Sequence, residues 1–327
     1  MWHWPGERVV QKIILDMDPG IDDALAIILA LRSPELQVEA ITIVSGNIHV
    51  DQASKNALKI VENIPDLKKK PEVAKGLSKP LFGELTTAES VHGKGGLGDS
   101  DLQEPKQPLS KKHAVDLIIE KVLSSKEGEL TIVTTGPLSN LAFALLKEPG
   151  IAENVEQLVM MGGAFGVTKY GFGNITPAAE FNIYTDPEAA MIVLKSGLHI
   201  TAVGLDVTMD PSALITPKEY EKIRSAKTRS AELVTRITRN HMASFRSLAL
   251  HDPMAVAAAI DPSLVTKKKY FVEVETRGES ARGQTIADRR GNLRPETVRV
   301  GNPMTLCTSV LGEKFIKLFM SRVILQT

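Results

Sequence analysis

An α/β fold with an open, mostly parallel, doubly wound sheet is the class that this sequence predicts, and three features predict it. Short runs rich in β-branched and aliphatic residues alternate with longer segments of helical period. The strand-like runs are almost continuously apolar, as expected for strands that are buried on both faces of a parallel sheet. Polar and acidic residues directly follow several of these runs, which is where ligands bind in such sheets.

The alternation can be followed in order along the chain. The run KIILDMD is followed by the helical segment IDDALAIILALRS, and VEAITIVSGN is followed by DQASKNALKIVENI. Further on, ELTIVTTG precedes PLSNLAFALLKEP, VEQLVMMGG precedes a glycine-rich loop, and DPEAAMIVLKSG leads into HITAVGLDV. This order of strand, loop and helix is typical of the βαβ units that build a parallel sheet.

Three segments depart from the alternation. Residues 79–108 are rich in glycine, proline and polar residues and predict a long functional loop. A helical segment is expected from Pro211 to about Ile260, and a small C-terminal β element is expected in KKYFVEVETRGESARGQTIADRRG. Since no repeat, low-complexity tract or evident linker divides the chain, residues 1–327 are expected to form a single domain.

The composition excludes several functional classes. The 39 basic residues balance the 39 acidic ones, so the sequence has no electrostatic footprint for nucleic acid. No window reaches the roughly 18 apolar residues that span a bilayer, and the first residues lack the pattern of a signal peptide. The single cysteine, Cys307, cannot form an internal disulfide and fits a reducing compartment. We therefore expect a cytoplasmic protein that binds neither nucleic acid nor membrane.

Aspartates are crowded into DMDPGIDD, directly after the first strand-like run. Capping explains some of them, with Asp18 before a helix that begins at Pro19 and with Asp22 and Asp23 in its first turn. Capping does not explain Asp16 and Asp18 at one strand end, where mutual repulsion raises pKa values and lowers stability. A bound cation removes that repulsion, and oxygen-only ligands indicate Ca²⁺ or Mg²⁺ rather than zinc.

Two other kinds of site also contain Asp-x-Asp. The sequence excludes an EF-hand loop, because Ile21 occupies the position of its glycine and Ile27 the position of its closing glutamate. A Mg²⁺-dependent phosphatase of the haloacid dehalogenase type, with Asp16 as the nucleophile, is an alternative. Such an enzyme is not expected to carry Pro-Gly and two further carboxylates immediately afterwards.

The segment DMDPGIDDALAI resembles the N-terminal fingerprint of the nucleoside hydrolases, the inosine-uridine preferring nucleoside N-ribohydrolase family. The segments VSGN, VHGKGGLG, TTGPLSNLA, MGGAFG, GNITPAAEFNIYTDPEAA and HDPMAV are similar to further motifs of that family and follow in its order. The resemblance implies one bound Ca²⁺, hydrolysis of the N-glycosidic bond of ribonucleosides to free base and ribose, and a homodimer or homotetramer. A nucleoside-binding protein without turnover is a second alternative.

The resemblance also implies a set of metal ligands. These are the side chains of Asp18, Asp23 and Asp252 and the main-chain carbonyl of Thr135. Asp22 and Asp23 are adjacent and about 100° apart on a helical turn. One of them can therefore face the ion while the other faces a sugar hydroxyl, and Asp16 would orient the site.

Catalysis at such a site requires a general base and help for the departing base. Calcium is a weaker Lewis acid than zinc, so a carboxylate beside the attacking water is needed. We predict that Asp18 is this general base. We predict that His251, next to the ligand candidate Asp252, assists the leaving group.

The transition state is oxocarbenium-like, so the ribose must be held rigidly by groups that bind its hydroxyls. By the resemblance, substrate-binding residues are Asp22, Asn47, His92, Met161, Asn174, Glu180 and Asn182. His92 is expected near the base, although Lys94 and Gly95 follow it where many members carry an acidic residue. Tyr170 and Phe172 are candidates for stacking on the base, for covering the end of the sheet or for packing against a neighbouring subunit. Surface or structural roles are expected for His3, His49, His113, His199 and His241.

Overall fold

The fold is taken from a computed structural model that describes residues 10–67, 69–290, 298 and 300–324. His3 lies outside the described residues. The strands are Gln11–Met17 (β1), Leu36–Ile43 (β2), Glu72–Lys75 (β3), Leu130–Thr134 (β4), Val155–Met161 (β5), Ile200–Val203 (β6), Leu214–Ile215 (β7), Leu248–Ala249 (β8), Val265–Val274 (β9), Thr285–Ala287 (β10) and Asn302–Val310 (β11). The α-helices are Ile21–Leu31 (α1), Val50–Asn63 (α2), Glu89–His92 (α3), Ala114–Ser124 (α4), Ser139–Lys147 (α5), Ile151–Asn154 (α6), Phe181–Thr185 (α7), Pro187–Leu194 (α8), Leu205–Thr208 (α9), Pro217–Ser225 (α10), Arg229–Phe245 (α11), His251–Ile260 (α12) and Gly312–Ile324 (α13).

The main sheet has the strand order β10-β9-β11-β6-β5-β4-β1-β2-β3. The pairings from β11 across to β3 are parallel, and β9 runs antiparallel to β10 and β11. The predicted open, mostly parallel α/β sheet is therefore confirmed. The chain moves from β1 outward to β3 and then crosses back to β4, so the carboxyl end of β1 lies where the strand order reverses, the usual ligand site of such sheets.

Apolar side chains cover both faces of the sheet, which is why its strands are almost continuously hydrophobic. In β1, Ile13 and Leu15 belong to one buried cluster, whereas Ile14 belongs to the other. Successive residues of a strand point to opposite faces, so one strand contributes to both clusters. Helix α1 is buried on nearly every side and packs against α2 and α12. This packing brings the first residues of α1 and α12 together.

The C-terminal β element that the sequence predicts is part of the main sheet. Strand β11 pairs in parallel with β6, and β9 and β10 extend the main sheet beyond it. Met304 and Leu306 of β11 and Val272 and Val274 of β9 are buried in the hydrophobic cluster on one face. The alternation of apolar and polar residues in these strands therefore reflects one covered face.

The other irregular segments agree with their predictions. Residues 79–108 contain only the short helix α3 as regular structure. The segment from Pro211 to Ile260 is mostly helical, with β7 and β8 forming a short antiparallel pair. In the described part of the chain, no helix combines the length and the apolar character needed to cross a membrane.

Candidate active site

A cavity of about 260 Å³ opens at the carboxyl ends of β1, β2, β4 and β5. Most of the predicted site residues line it. They are Asp22, Asn47, His92, Thr135, Met161, Asn174, Glu180, Asn182, His251 and Asp252. Because these residues come from widely separated segments, the fold itself brings them to one place.

Asp18 does not cap a helix, and the expectation that the first helix begins at Pro19 is wrong. Helix α1 begins at Ile21, with Gly20 as its N-cap, and the Gly20 N–H donates to Asp23 Oδ2 at 3.0 Å. Asp18 Oδ2 instead accepts a hydrogen bond from the Asn47 N–H at 2.6 Å. The carboxylate of Asp18 thus contacts the loop after β2.

Three carboxylates form an acidic cluster beneath the cavity. One oxygen each from Asp22, Asp23 and Asp252 lies within 4.8 Å of the others. Asp22 and Asp23 therefore do not diverge as far as their angular separation on the helix indicates. Asp22 still lines the cavity, whereas Asp23 is fully buried below it. Asp23 Oδ1 accepts from Thr135 Oγ1 at 2.7 Å, and Asp23 Oδ2 accepts from Asn47 Nδ2 at 3.0 Å.

Asp18 lies outside this group of three and is completely buried. Its Oδ1 atom has no hydrogen-bond partner among the described residues. Two glycines make room for it, since a Cβ on Gly46 would come 2.0 Å from Asp18 Oδ2 and a Cβ on Gly136 would come 2.7 Å from Oδ1. The backbone therefore packs closely around the Asp18 carboxylate, although its Oδ1 atom receives no hydrogen bond from the described residues.

The electrostatics of the cluster favour a bound cation. Burial raises the pKa of Asp23 to about 7, and the charge of Asp22 adds to the shift. Burial and the neighbouring carboxylates also raise the pKa of Asp18 and of Asp252 well above their ordinary values. Crowded carboxylates and orphaned oxygens are stabilised by a hard divalent cation, which takes oxygen ligands alone. The residues present fit such an ion.

A second group of hydrogen bonds lies beside the acidic cluster, at the start of α7. Glu180 caps α7 and accepts from the N–H groups of Gly163, Asn182 and Ile183 at 2.9, 2.9 and 3.2 Å. Burial raises the pKa of the Glu180 carboxyl. Asn182 Nδ2 donates to the carbonyl of Thr135 at 2.8 Å, which links this group to the acidic cluster.

Histidines form a third part of the cavity wall. His92 Nδ1 accepts from the Ile21 N–H at 3.0 Å, and His251 Nδ1 lies 2.8 Å from Thr208 Oγ1. His241 also lines the cavity, so the expectation that it is only a surface or structural residue is wrong. The pKa values of His92, His241 and His251 are all lowered by burial, which favours neutral rings.

The sequence contains a signal that points to His241. Val234, Ile237 and Met242 are buried on one side of α11, and His241 follows Ile237 by four residues. A histidine at this spacing falls on the inward side of an amphipathic helix. The spacing predicts that the His241 side chain points inward, but it does not predict which cavity the side chain lines.

Some predicted neighbours of the substrate are not part of the cavity wall as the structure describes it. Tyr170 and Phe172 do not line it, Lys169 Nζ lies 4.9 Å from the centre of the Tyr170 ring, and the Phe172 side chain is exposed. Asp16 is fully buried and accepts from Thr42 Oγ1 at 2.7 Å and Asn140 Nδ2 at 2.8 Å. Asp16 does not line the cavity, so the structure gives no support to the phosphatase alternative, in which Asp16 is the nucleophile.

Several known proteins are similar to this chain in both sequence and fold. Residues 13–317 match the family described as inosine-uridine preferring nucleoside hydrolase. The chain is 41% identical to an inosine-uridine preferring nucleoside hydrolase of Crithidia fasciculata, over 88% of this chain and 90% of that protein. It is 40% identical to a pyrimidine-specific ribonucleoside hydrolase of Shewanella woodyi, over 86% of this chain and 90% of that protein. The solved structure of a plant nucleoside hydrolase matches with a TM-score of 0.88 at 34% identity, over 97% of this chain and 100% of that one.

Proposed function

This chain belongs to the inosine-uridine preferring nucleoside hydrolase family, and on that premise we propose that it hydrolyses the N-glycosidic bond of ribonucleosides, with Ca²⁺ as its cofactor. The observation that carries the proposal is a cavity with acidic residues at its base, hydrogen-bonding amides and a carboxylate at one end, and histidines in its wall. These features match the requirements of the reaction, which are an activated water, a fixed ribose and an assisted leaving group.

The cation is proposed to bind to the carboxylates at the base of the cavity and to one main-chain oxygen. The proposed ligands are Asp18, Asp23 and Asp252 through their side chains and Thr135 through its carbonyl. When bound, Ca²⁺ supplies positive charge that orients a water and the sugar oxygens. The unpaired Asp18 Oδ1 and the proximity of Asp23 to Asp252 support this placement.

Asp18 is proposed to take the proton from the attacking water. Burial raises the pKa of this carboxyl above that of an exposed aspartate, and a raised pKa is the direction that favours a general base. The Asn47 N–H fixes Asp18 Oδ2, and Oδ1, which has no hydrogen-bond partner among the described residues, would face both the ion and the water. The second alternative, a binding protein without turnover, finds no support in a site that retains this base.

The ribose is proposed to lie between the acidic cluster and the α7 end of the cavity. The substrate-binding residues are Asp22, Asn47, Met161, Asn174, Glu180 and Asn182. Glu180 and Asn182 are held by main-chain groups, so they are positioned before the substrate arrives. Such preorganisation lowers the cost of fixing a sugar in a strained geometry.

The base is proposed to lie against the histidines. Because burial lowers the pKa of His251, its neutral ring can donate one N–H to a nitrogen or oxygen of the departing base. The contact of His251 Nδ1 with Thr208 Oγ1 fixes the orientation of the ring. His92, which is oriented by the Ile21 N–H, is proposed to contact the base from the neighbouring loop.

Incubation with inosine, uridine and p-nitrophenyl phosphate in separate reactions tests the function. We expect free base and reducing sugar from at least one nucleoside and no phosphate release. Phosphate release without any free base would contradict the proposal. Binding of inosine and uridine without turnover in the calcium-loaded protein would contradict it as well.

Two further expectations stay predictions. A homodimer or homotetramer is expected from the resemblance to the family, and sedimentation of the purified chain would test it. A cytoplasmic location is expected from the single cysteine, and imaging of the tagged full chain in its own cell would test it.

A further inference from the structure

We propose that Asp206 is a positioning residue for the sugar end of the cavity, a role that rests on the proposed function. Asp206 is almost fully buried at the start of α9 and does not line the cavity as described. Its carboxylate organises the loop of residues 162–173, which runs from the end of β5 to Asn174. Through this loop Asp206 acts on groups that are proposed to hold the ribose.

The carboxylate of Asp206 is surrounded by main-chain donors of the loop. Its Oδ2 accepts from the Phe165 N–H at 2.8 Å, and its Oδ1 accepts from the N–H groups of Val167 and Thr168 at 2.7 and 3.0 Å. Thr168 Oγ1 donates to the Asp206 carbonyl at 2.7 Å. Buried N–H groups need acceptors, so a loop that turns its amides inward requires a group of this kind at its centre.

The fit between loop and carboxylate is close. A Cβ on Gly171 would come 2.0 Å from Asp206 Oδ1 and 2.6 Å from the Gly166 nitrogen. Any side chain at position 171 would therefore displace either the loop or the carboxylate. This close approach ties the second half of the loop to the same anchor as the first half.

The loop touches the sugar end at both of its ends. The Gly163 N–H donates to Glu180 Oε2 at 2.9 Å, and the Gly163 carbonyl accepts from the Leu205 N–H at 2.9 Å. At the far end, Asn174 Oδ1 accepts from the Phe181 N–H at 2.9 Å. A shift of the loop would thus move the donor to Glu180 and the side chain of Asn174.

The proposed metal ligands do not belong to this loop, and neither does His251. Helix α9 also carries Thr208, whose hydroxyl contacts His251 Nδ1. Asp206→Asn leaves that hydroxyl in place, so loss of the anchor should act mainly on the sugar end of the site. Because every nucleoside shares its ribose, the loss should be equal for inosine, uridine and p-nitrophenyl riboside. A change confined to the base end would instead differ between these substrates.

The test is Asp206→Asn, which retains the size of the side chain but cannot accept from all three N–H groups. We expect kcat/KM to fall by about 10²-fold, as for a misplaced binding group. The fall should be the same within about twofold for the three substrates, with unchanged calcium content. Gly171→Ala should give the same uniform fall in kcat/KM, because its Cβ would collide with the Asp206 carboxylate.

Two matched variants serve as controls. Asp210→Asn changes an aspartate that accepts from the Ser212 N–H at the next turn of chain, and Gly150→Ala changes a glycine with ordinary helical torsion angles before α6. Both should keep the activity of the wild type. Retention of full activity by Asp206→Asn, or a loss that differs between substrates, would overturn the proposal.

Amide hydrogen exchange separates this proposal from the proposed function and from general unfolding. In Asp206→Asn, exchange should accelerate in residues 162–173 and stay unchanged in the strands β1 and β4. If the wild type hydrolyses no nucleoside, the proposed function fails, whereas the exchange result still reports on the anchor. Unchanged exchange in residues 162–173 would overturn the anchoring role itself.

Discussion

The two ends of the cavity are built in different ways. At the sugar and metal end, Asp18, Asp23 and Glu180 are buried and are fixed by main-chain N–H groups after strands or at helix starts. At the base end, the wall comes from the α3 loop and α11, and it includes exposed apolar side chains. These are Val91 and Ile175, and the ring of His241 in the wall has its centroid 4.7 Å from that of the Phe245 ring.

This difference assigns the two parts of the reaction to different parts of the fold. Groups that act on the ribose and the water need fixed positions, because catalysis depends on preorganised charge and geometry. Groups that contact the base only need to accommodate its shape and supply a donor. We infer that the sheet edge determines the chemistry, whereas α3 and α11 determine which base is accepted.

The largest expected effect follows from removing the cation at the buried end. Treatment with a chelator should lower kcat by about 10³-fold or more, because an ion in such a site lowers the activation free energy by several kcal/mol. Metal analysis of protein purified without chelator should give one Ca²⁺ per chain. Added Ca²⁺ should restore turnover. Full activity without metal, or full occupancy by zinc, would contradict a calcium site.

The next effect concerns the general base. Asp18→Asn preserves shape and one oxygen but removes the proton acceptor, so kcat should fall by about 10²-fold or more. Binding of an unreactive ribose analogue should change less. Asp51→Asn, at an exposed position paired with Lys75, is the surface control and should leave kcat unchanged. A normal kcat in Asp18→Asn would assign the base to another residue.

A smaller and selective effect is expected at the base end. His251→Ala should slow inosine hydrolysis by about tenfold or more, because its base leaves poorly without a proton donor. Hydrolysis of p-nitrophenyl riboside, whose leaving group needs no proton, should hardly change. The measurement is the ratio of the two turnovers in wild type and variant, with the calcium content checked. An unchanged ratio would mean that another group, such as His241, assists the base.

The smallest expected effect is the pH dependence of stability, which arises from the carboxylates of the acidic cluster. In the cation-free protein, the pKa of Asp23 is raised to about 7, above the ordinary value of the unfolded chain. Between these two pKa values the folded state holds a proton that the unfolded state has released. The free energy of unfolding therefore falls as the pH rises through this range.

Calcium compensates the deprotonated carboxylates, so it should raise the midpoint of thermal unfolding more at about pH 8 than at about pH 5. Thermal scans with and without Ca²⁺ at both pH values measure the difference. The protein with Asp23→Asn is the matched comparison, and its calcium response should be smaller at the higher pH. An equal calcium response at both pH values in the wild type would contradict the assigned titration.

The sequence alone determined the order of the elements and most of the chemistry. Apolar runs of strand length and helical periods are local patterns, so the βαβ order and the parallel sheet could be predicted from them. Asp18, Asp22 and Asp23 of DMDPGIDD follow the end of β1, and oxygen ligands indicate a hard cation wherever they meet. The ordered motifs between Lys12 and Ala255 then indicated the family, which the comparisons confirm.

Only the tertiary structure decided which distant side chains meet and which atoms stay unpaired. Asp252 joins Asp22 and Asp23 because α12 packs against α1, and His241 reaches the cavity because α11 presents one particular side to it. The same holds for Asp18, for which capping was the alternative to a metal site, and whose carboxylate accepts from the Asn47 N–H instead of capping a helix. Local patterns fix the faces of an element, but the packing of elements far apart in sequence fixes what each face touches.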